Sequence, residues 1–111
     1  MENNSKFKGS NGLEINYPNS LGYSVYTKNN CPFCDKVKQL LENDNILIIP
    51  CDDFLKNKND KEEFLNFIES ITKIKHKTFP MVFFDGKFIG GFTETKKYYE
   101  KSNAFSLSSY F

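Results

Sequence analysis

The chain has 111 residues, a formal net charge of +1, 39% apolar residues and three cysteines. A chain of this size buries roughly two-thirds of the surface that it exposes when unfolded, so a single core needs no disulfide staples. The odd cysteine count and the close spacing of Cys31 and Cys34 argue against a secreted disulfide scaffold. We therefore expect one domain in a reducing, cytoplasmic compartment.

The charged residues argue against two classes of partner. All 15 cationic side chains are lysines, and 14 carboxylates nearly balance them. Nucleic-acid-binding proteins normally carry a basic excess and grip phosphates with arginine, so no nucleic-acid partner is expected. Because no stretch reaches the roughly 18 apolar residues that span a bilayer, and the first residues lack the apolar run of a secretory signal, no membrane partner is expected either.

Residues 1–20 are rich in Asn, Ser, Gly and Lys and predict a polar N-terminal tail with room for a short helical or docked piece. The folded domain is expected over residues 21–111. Residues 23–27 are β-branched and aromatic, which predicts a strand that runs into a polar loop. Pro32 suits the first position of a helix. The apolar residues behind it recur at helical spacing, at Phe33, Val37, Leu40 and Leu41.

Residues 46–49 are continuously apolar and predict a parallel strand covered on both faces, so that residues 23–49 form a β-α-β unit. Asp60 and Glu63 have the spacing of a helix N-terminal cap and predict a second helix. Its expected buried stripe consists of Phe64, Phe67, Ile68 and Ile71.

The last third of the chain predicts a hairpin and a helix. Strands over residues 81–84 and 87–89 flank Asp85-Gly86, a turn composition typical of antiparallel hairpins. Gly90-Gly91 ends the second strand, and Thr93 is expected to cap a helix through about residue 101. The predicted order from residue 21 is β-α-β-α-β-β-α.

Cys31 and Cys34 stand where the first strand hands over to the first helix. Unpaired backbone N–H groups and the helix dipole at such a site favour the thiolate, which lowers the pKa of the thiol from about 8.5 to roughly 3.5–7.5. Cys31 is the predicted nucleophile. Cys34, one turn further in, is the expected resolving thiol that attacks a mixed disulfide from inside.

Lys28 and the cysteine pair itself each have two interpretations. Lys28 could support the thiolate and bind a substrate carboxylate, or be a solvated loop lysine. The cysteine pair could be half of a zinc site completed by Cys51 and His76, but structural zinc sites usually use two closely spaced pairs, so no metal is expected. Cys51, at the end of an apolar strand, is predicted to be an inert core thiol.

Three segments together resemble the dithiol glutaredoxins: Tyr-Thr-Lys-Asn-Asn-Cys-Pro-Phe-Cys at residues 26–34, Thr-Phe-Pro at 78–80 and Gly-Gly-Phe-Thr-Glu at 90–94. The resemblance covers residues 21–101. It implies an α/β fold of the thioredoxin-like type, with a four-stranded mixed sheet flanked by helices. It also implies that glutathione is both the reductant and the group recognised.

The resemblance assigns roles to particular residues. It implies that Cys31 and Cys34 are catalytic and that Pro80 is a cis-proline, which leaves the backbone of Phe79 beside Thr78 free to pair with the cysteinyl part of glutathione. Lys28 would take the glycine carboxylate. The γ-glutamyl end would be held by Gly91, Thr93 and Glu94.

Two of these positions leave questions open. Glu94 departs from the aspartate more usual in the family, and its longer side chain can weaken or reorient the contact. Phe33 would line the glutathione groove, with packing under the first helix as the alternative.

The sequence thus predicts a glutathione-dependent thiol-disulfide oxidoreductase. We expect it to act as a monomer on glutathionylated or disulfide-containing proteins, in electron transport for cell redox homeostasis. One alternative is a thioredoxin-type reductase, whose cysteines normally flank Gly-Pro. The other is an iron–sulfur or zinc-binding module, although the single-cysteine relatives that assemble clusters carry a serine where Cys34 stands.

Overall fold

The computed structural model describes residues 6–10 and 12–108, with side chains described as far as residue 102. Within these ranges the strands are β1 (Lys6–Lys8), β2 (Glu14–Asn16), β3 (Tyr23–Thr27), β4 (Ile46–Pro50), β5 (Met81–Phe84) and β6 (Lys87–Gly90). The helices are α1 (Pro32–Leu40), α2 (Lys58–Thr72) and α3 (Phe92–Ser108), and a 3-10 turn spans Asp52–Phe54. From β3 onward this is the predicted order β-α-β-α-β-β-α.

Four of the strands form one mixed sheet in the order β4-β3-β5-β6. Strand β4 runs parallel to β3, with Tyr23 opposite Ile46 and Thr27 opposite Pro50, so helix α1 is the crossover of a β-α-β unit. Strands β5 and β6 are antiparallel to their neighbours. The turn between them has positive φ at both Asp85 and Gly86, as the predicted hairpin turn requires.

The central strand β3 separates two apolar layers, because successive side chains of a strand point to opposite faces. Val25 is fully buried on the face covered by α1 and α3, with Val37 and Val82. Tyr26 is fully buried on the other face, with Phe64 of α2. Strand β4 lies at the sheet edge, so three of its side chains are only partly buried. Its residues still alternate between the two layers, Leu47 and Ile49 on the α2 side and Ile46 and Ile48 on the α1 side, so the strand is covered on both faces as predicted.

Two helix starts differ from the prediction. Helix α2 begins one turn before the predicted Asp60 cap, because Asn57 Oδ1 accepts a hydrogen bond from Asp60 N–H (2.8 Å) and Asn57 Nδ2 donates to Asp60 Oδ2 (3.2 Å). Its predicted stripe is nevertheless correct: Phe64, Phe67 and Ile68 are buried, and Ile71 packs against them. Helix α3 begins at Phe92, so Thr93 lies inside its first turn and is not its cap.

The N-terminal segment contains a docked β-hairpin. Strand β1 pairs antiparallel with β2, and Phe7 stands opposite Ile15. Ile15 is fully buried, which contributes on the order of 2–3 kcal/mol, and the Phe7 ring lies 4.9 Å from that of Phe67 on α2. Tyr26 donates its hydroxyl hydrogen to the carbonyl oxygen of Asn16 (2.5 Å). The docked piece allowed for in the predicted tail is therefore a hairpin and not a helix.

Candidate active site

Cys31 lies four residues beyond the end of β3 and directly before α1, and Cys34 lies in the first turn of this helix. Cys31 is the N-cap residue, and its Sγ accepts a hydrogen bond from the backbone N–H of Cys34 (3.2 Å). The two cysteines form a disulfide, with Cα atoms 5.2 Å apart. Cys31 keeps 8% of its surface exposed and Cys34 only 1%, so an incoming sulfur reaches Cys31 first.

A groove of about 620 Å³ opens beside Cys31. It brings together four of the residues that the resemblance assigns to glutathione, namely Lys28, Phe33, Thr78 and Phe79. They come from three separate parts of the chain: the loop after β3, the first turn of α1 and the loop before β5. The sheet and α1 thus assemble the predicted groove around the disulfide.

Lys28 and Phe79 face each other across this groove. The Lys28 Nζ lies 6.0 Å from the centroid of the Phe79 ring, a distance at which a cation is attracted to the ring face. Phe79 in turn stacks on Phe64 of α2, with ring centroids 6.0 Å apart. Lys28 therefore has a ring contact inside the groove, which a fully solvated loop lysine would lack.

Phe33 lies at the mouth of the groove and does not pack in the core. Its side chain is 52% exposed, so packing under α1 is excluded. The ring stacks on Phe92, the first residue of α3, at a centroid distance of 5.9 Å. Lys36 Nζ lies 5.1 Å from the Phe33 ring. This contact joins the start of α1 to the start of α3.

The Phe79–Pro80 peptide bond is cis, as the resemblance implies. Pro80 is buried, whereas Thr78 is exposed at the groove. The Thr78 hydroxyl oxygen lies 3.4 Å from His76 Nε2. Thr78 and Phe79 therefore lie beside Cys31 in the lining of the groove.

The predicted γ-glutamyl residues lie at the start of α3, outside the set that lines the groove. Glu94 Oε1 accepts a hydrogen bond from Gly91 N–H (2.9 Å), and this bond lowers the pKa of the Glu94 carboxyl. The carboxylate thus already accepts from the backbone, while Phe92 and Thr93 occupy first-turn positions whose N–H groups have no partner within the helix. The prediction that Glu94 binds an amine stays a prediction.

The two glycines before α3 have different structural roles. Gly90 has a φ of +137°, and a Cβ at this position would lie 2.9 Å from the Glu94 side chain, so only glycine fits. A Cβ at Gly91 would lie 3.6 Å from the carbonyl oxygen of Pro80, an ordinary contact. Gly91 therefore matters through its N–H group and its closeness to the Pro80 backbone.

Sequence reasoning missed the far wall of the groove. Leu55, Lys61 and Leu65, from α2 and the turn before it, line this wall together with Lys77. Lys77 directly precedes the Thr-Phe-Pro motif, and Lys61 stands four residues before Leu65, on the same side of α2. Only the docking of α2 on the sheet brings these residues to Cys31.

Neither Cys51 nor His76 lines the groove beside Cys31. Cys51 is fully buried, its S–H donates to the carbonyl oxygen of Ile49 (3.3 Å), and burial raises the pKa of its thiol. The His76 ring packs edge-on against Phe88 at 5.0 Å. Across residues 6–10 and 12–108, no three His, Cys, Asp or Glu side chains gather as metal ligands. None of the described helices has the length and apolar character needed to cross a membrane.

The model of the glutaredoxin family matches residues 24–89, more than half of the chain. The chain belongs to the glutaredoxin family. A hybrid peroxiredoxin of Haemophilus influenzae is 34% identical over 80 residues, and the match covers 68% of this chain. It spans only 28% of the length of that relative.

Solved structures of glutaredoxins share the fold. Glutaredoxin 1 of Francisella tularensis, in complex with cacodylate, superposes with a TM-score of 0.63 at 28% identity, covering 75% of this chain and 96% of the other. A buckwheat glutaredoxin in complex with glutathione gives a TM-score of 0.59 at 26% identity and covers 76% and 73%. The predicted thioredoxin-like α/β fold is thus confirmed, and family and fold support a thiol-disulfide oxidoreductase.

Proposed function

We propose that this glutaredoxin reduces glutathione mixed disulfides and protein disulfides in the cytoplasm, with glutathione as the electron donor. One observation carries the proposal: Cys31 caps helix α1 beside a groove that already contains Lys28, Thr78 and Phe79. A helix N-terminus stabilises a thiolate, and an adjacent cation and an exposed backbone edge suit a small anionic peptide. The buckwheat relative, which shares the fold, is described in complex with glutathione.

With a mixed disulfide, the Cys31 thiolate attacks the glutathione sulfur. The bond between glutathione and the substrate breaks, the substrate leaves as a thiolate that takes up a proton, and Cys31 becomes glutathionylated. The thiolate of a second glutathione then attacks the glutathione sulfur on Cys31. This step releases glutathione disulfide and restores the Cys31 thiolate, so each turnover consumes one free glutathione and forms one glutathione disulfide, whose other half comes from the substrate.

With a protein disulfide, Cys31 attacks one substrate sulfur and forms a mixed disulfide with the substrate. The thiol of Cys34 lies one helical turn below and, once deprotonated, attacks the Cys31 sulfur. The substrate leaves fully reduced, and the Cys31–Cys34 disulfide forms. This is the oxidised state in which the structure shows the pair.

We assign each part of glutathione a partner in the groove or at the start of α3. In this proposal Lys28, which lines the groove, pairs with the glycine carboxylate, and the backbone of Phe79 pairs with the cysteinyl residue. The first-turn N–H groups of α3, at Phe92 and Thr93, suit the γ-glutamyl carboxylate. Glu94 has acceptor sites beyond the one that takes Gly91 N–H, and these could accept from the ammonium group.

A coupled assay tests the electron donor directly. The oxidised protein is supplied with a glutathione mixed disulfide and with either glutathione plus glutathione reductase or thioredoxin reductase alone, and NADPH consumption is followed. We expect turnover with glutathione and none with thioredoxin reductase. Turnover with thioredoxin reductase alone would instead support the thioredoxin-type alternative and contradict the proposal.

A further inference from the structure

The groove beside Cys31 carries a surplus of positive charge. Lys28, Lys61 and Lys77 line it, and its described lining contains no aspartate or glutamate. The ion pairs found among residues 6–10 and 12–102 involve Lys6, Lys56 and Lys96, not these three lysines. The three lysines give the groove lining a formal charge of +3, in a chain whose net charge is +1.

Two carboxylates near the groove accept hydrogen bonds from backbone N–H groups. Asp52 Oδ1 accepts a hydrogen bond from the N–H of Asn29 (2.9 Å), the residue after Lys28. Glu94 accepts from Gly91 N–H. The groove lysines therefore face solvent and any ligand that enters, and their field is focused along the apolar walls of the groove.

Glutathione accounts for only part of this charge, an argument that rests on the proposed function. Glutathione has two carboxylates and one ammonium group. The start of α3 takes the γ-glutamyl carboxylate, and Lys28 takes the glycine carboxylate. The single glycine carboxylate therefore neutralises only one of the three lysine charges in the groove.

Apolar residues complete the wall around these two lysines. Leu55 and Leu65 flank Lys61, and Phe79 follows Lys77 by two positions. An extended polypeptide that places one apolar and one acidic side chain beside its cysteine complements this wall. We propose that Lys61 and Lys77 recognise acidic residues next to the disulfide-bonded cysteine, so that the preferred protein substrates present that cysteine in an acidic segment.

The charge preference is confined to the immediate neighbours of the cysteine. A second, smaller pocket of about 200 Å³ shares Leu65 and Lys77 with the groove. It is lined by Glu62 and Glu69 as well as by Lys75, so its charges nearly balance. Residues of the substrate that reach this pocket therefore meet little net charge.

Three glutathionylated peptides of equal length test the proposal. Each has one cysteine, flanked on both sides by aspartates, by asparagines or by lysines. Glutathione reductase regenerates glutathione, and kcat/KM is measured for each peptide at low and high salt. We expect the acidic peptide to exceed the basic one by roughly three- to tenfold at low salt, and the ratio to fall towards one as salt screens the charges.

Variants of Lys61 test whether the preference for acidic peptides depends on the groove. Lys61 is chosen because it lies on α2, away from the backbone of Thr78 and Phe79. Lys61→Gln should lower the acidic-to-basic ratio, Lys61→Glu should bring it close to one, and Lys61→Arg should keep it. Lys101→Glu, the same charge reversal on an exposed residue of α3 outside the groove, should leave the ratio as in wild type.

The outcomes separate this inference from the proposed function. Turnover of all three peptides with equal kcat/KM at low salt would overturn the inference and leave the proposed function standing. A preference that survives in Lys61→Glu, or that Lys101→Glu removes equally, would also overturn it. A protein that reduces none of the peptides with glutathione would contradict the proposed function itself, and the inference with it.

Discussion

Cys31 and Cys51 follow the same end of the sheet but lie in opposite environments. They follow the carboxyl ends of the adjacent parallel strands β3 and β4, and Cys51 N–H donates to the carbonyl oxygen of Thr27 (2.8 Å). Cys31 caps a helix at the surface, whereas Cys51 is sealed in the core, where burial raises the pKa of its thiol. Position at the carboxyl end of a strand thus does not make a thiol reactive. A thiol becomes reactive when it lies at a helix N-terminus and is accessible to solvent.

The largest expected effect comes from removing each of these sulfurs. Cys31→Ser should abolish reduction of both mixed disulfides and protein disulfides, because a serine hydroxyl is not ionised at neutral pH. Cys51→Ala should keep turnover close to wild type in the same coupled assay. Loss of turnover in Cys51→Ala, with the fold intact by circular dichroism, would break the comparison.

Cys34→Ser sharpens the comparison within the active-site pair. It should stop multiple turnover of protein disulfides, since the mixed disulfide with Cys31 is no longer resolved from inside. It should spare reduction of glutathione mixed disulfides, in which a second glutathione resolves Cys31. Mass spectrometry of the trapped protein should show a substrate adduct on Cys31. Equal loss of both activities would contradict the assigned roles.

Lys28→Gln tests whether the groove beside Cys31 contributes to glutathione binding in addition to the reactive sulfur. Cys51 is fully buried and has no such groove. Loss of the cation should raise KM for glutathione roughly two- to fivefold, as expected for an exposed charge pair, with a smaller change in kcat. Lys38→Gln, on an exposed lysine of α1 that does not line the groove, is the matched control. An unchanged KM in Lys28→Gln would remove Lys28 from the proposed binding site.

The smallest expected effect is at the start of α3. There the Glu94 carboxylate accepts a hydrogen bond from a backbone N–H, as Cys31 Sγ does at the start of α1. Glu94→Gln should destabilise the fold by about 0.3–0.5 kcal/mol at pH 7, measured by denaturant unfolding. The hydrogen bond from Gly91 lowers the pKa of Glu94 in the folded state, so its stabilisation is complete above the unfolded-state pKa and is lost as pH falls through the folded-state pKa. Wild type and variant should therefore converge in acid, and a constant difference would refute the assignment.

Local signals in the sequence predicted the active-site end of the molecule. Pro32 at a helix start and the apolar periodicity behind it fixed α1, and Asp85-Gly86 fixed the β5–β6 turn. The motif residues then predicted most of the groove wall. These features depend on residues that are close together in the sequence.

The features that sequence reasoning missed depend on distant contacts. Strands β1 and β2 have three residues each, and the alternation of Leu13, Ile15 and Tyr17 is too short to distinguish a strand from a polar tail. Ile15 is buried only because α2 and the sheet supply its neighbours. Lys61 lines the groove for the same reason, because the packing of α2 on the sheet brings it there. In the sequence nothing distinguishes it from the other lysines.

The central claim is that Cys31 is ionised at neutral pH and Cys51 is not. It is tested by the rate of iodoacetamide alkylation against pH in the reduced, folded Cys34→Ser variant, with the modified cysteine identified by mass spectrometry. The account predicts that Cys31 reacts with a midpoint well below the value of about 8.5 for a free thiol, while Cys51 reacts only after unfolding. A midpoint for Cys31 at or above 8.5, or alkylation of Cys51 in the folded protein at a similar rate, would contradict it.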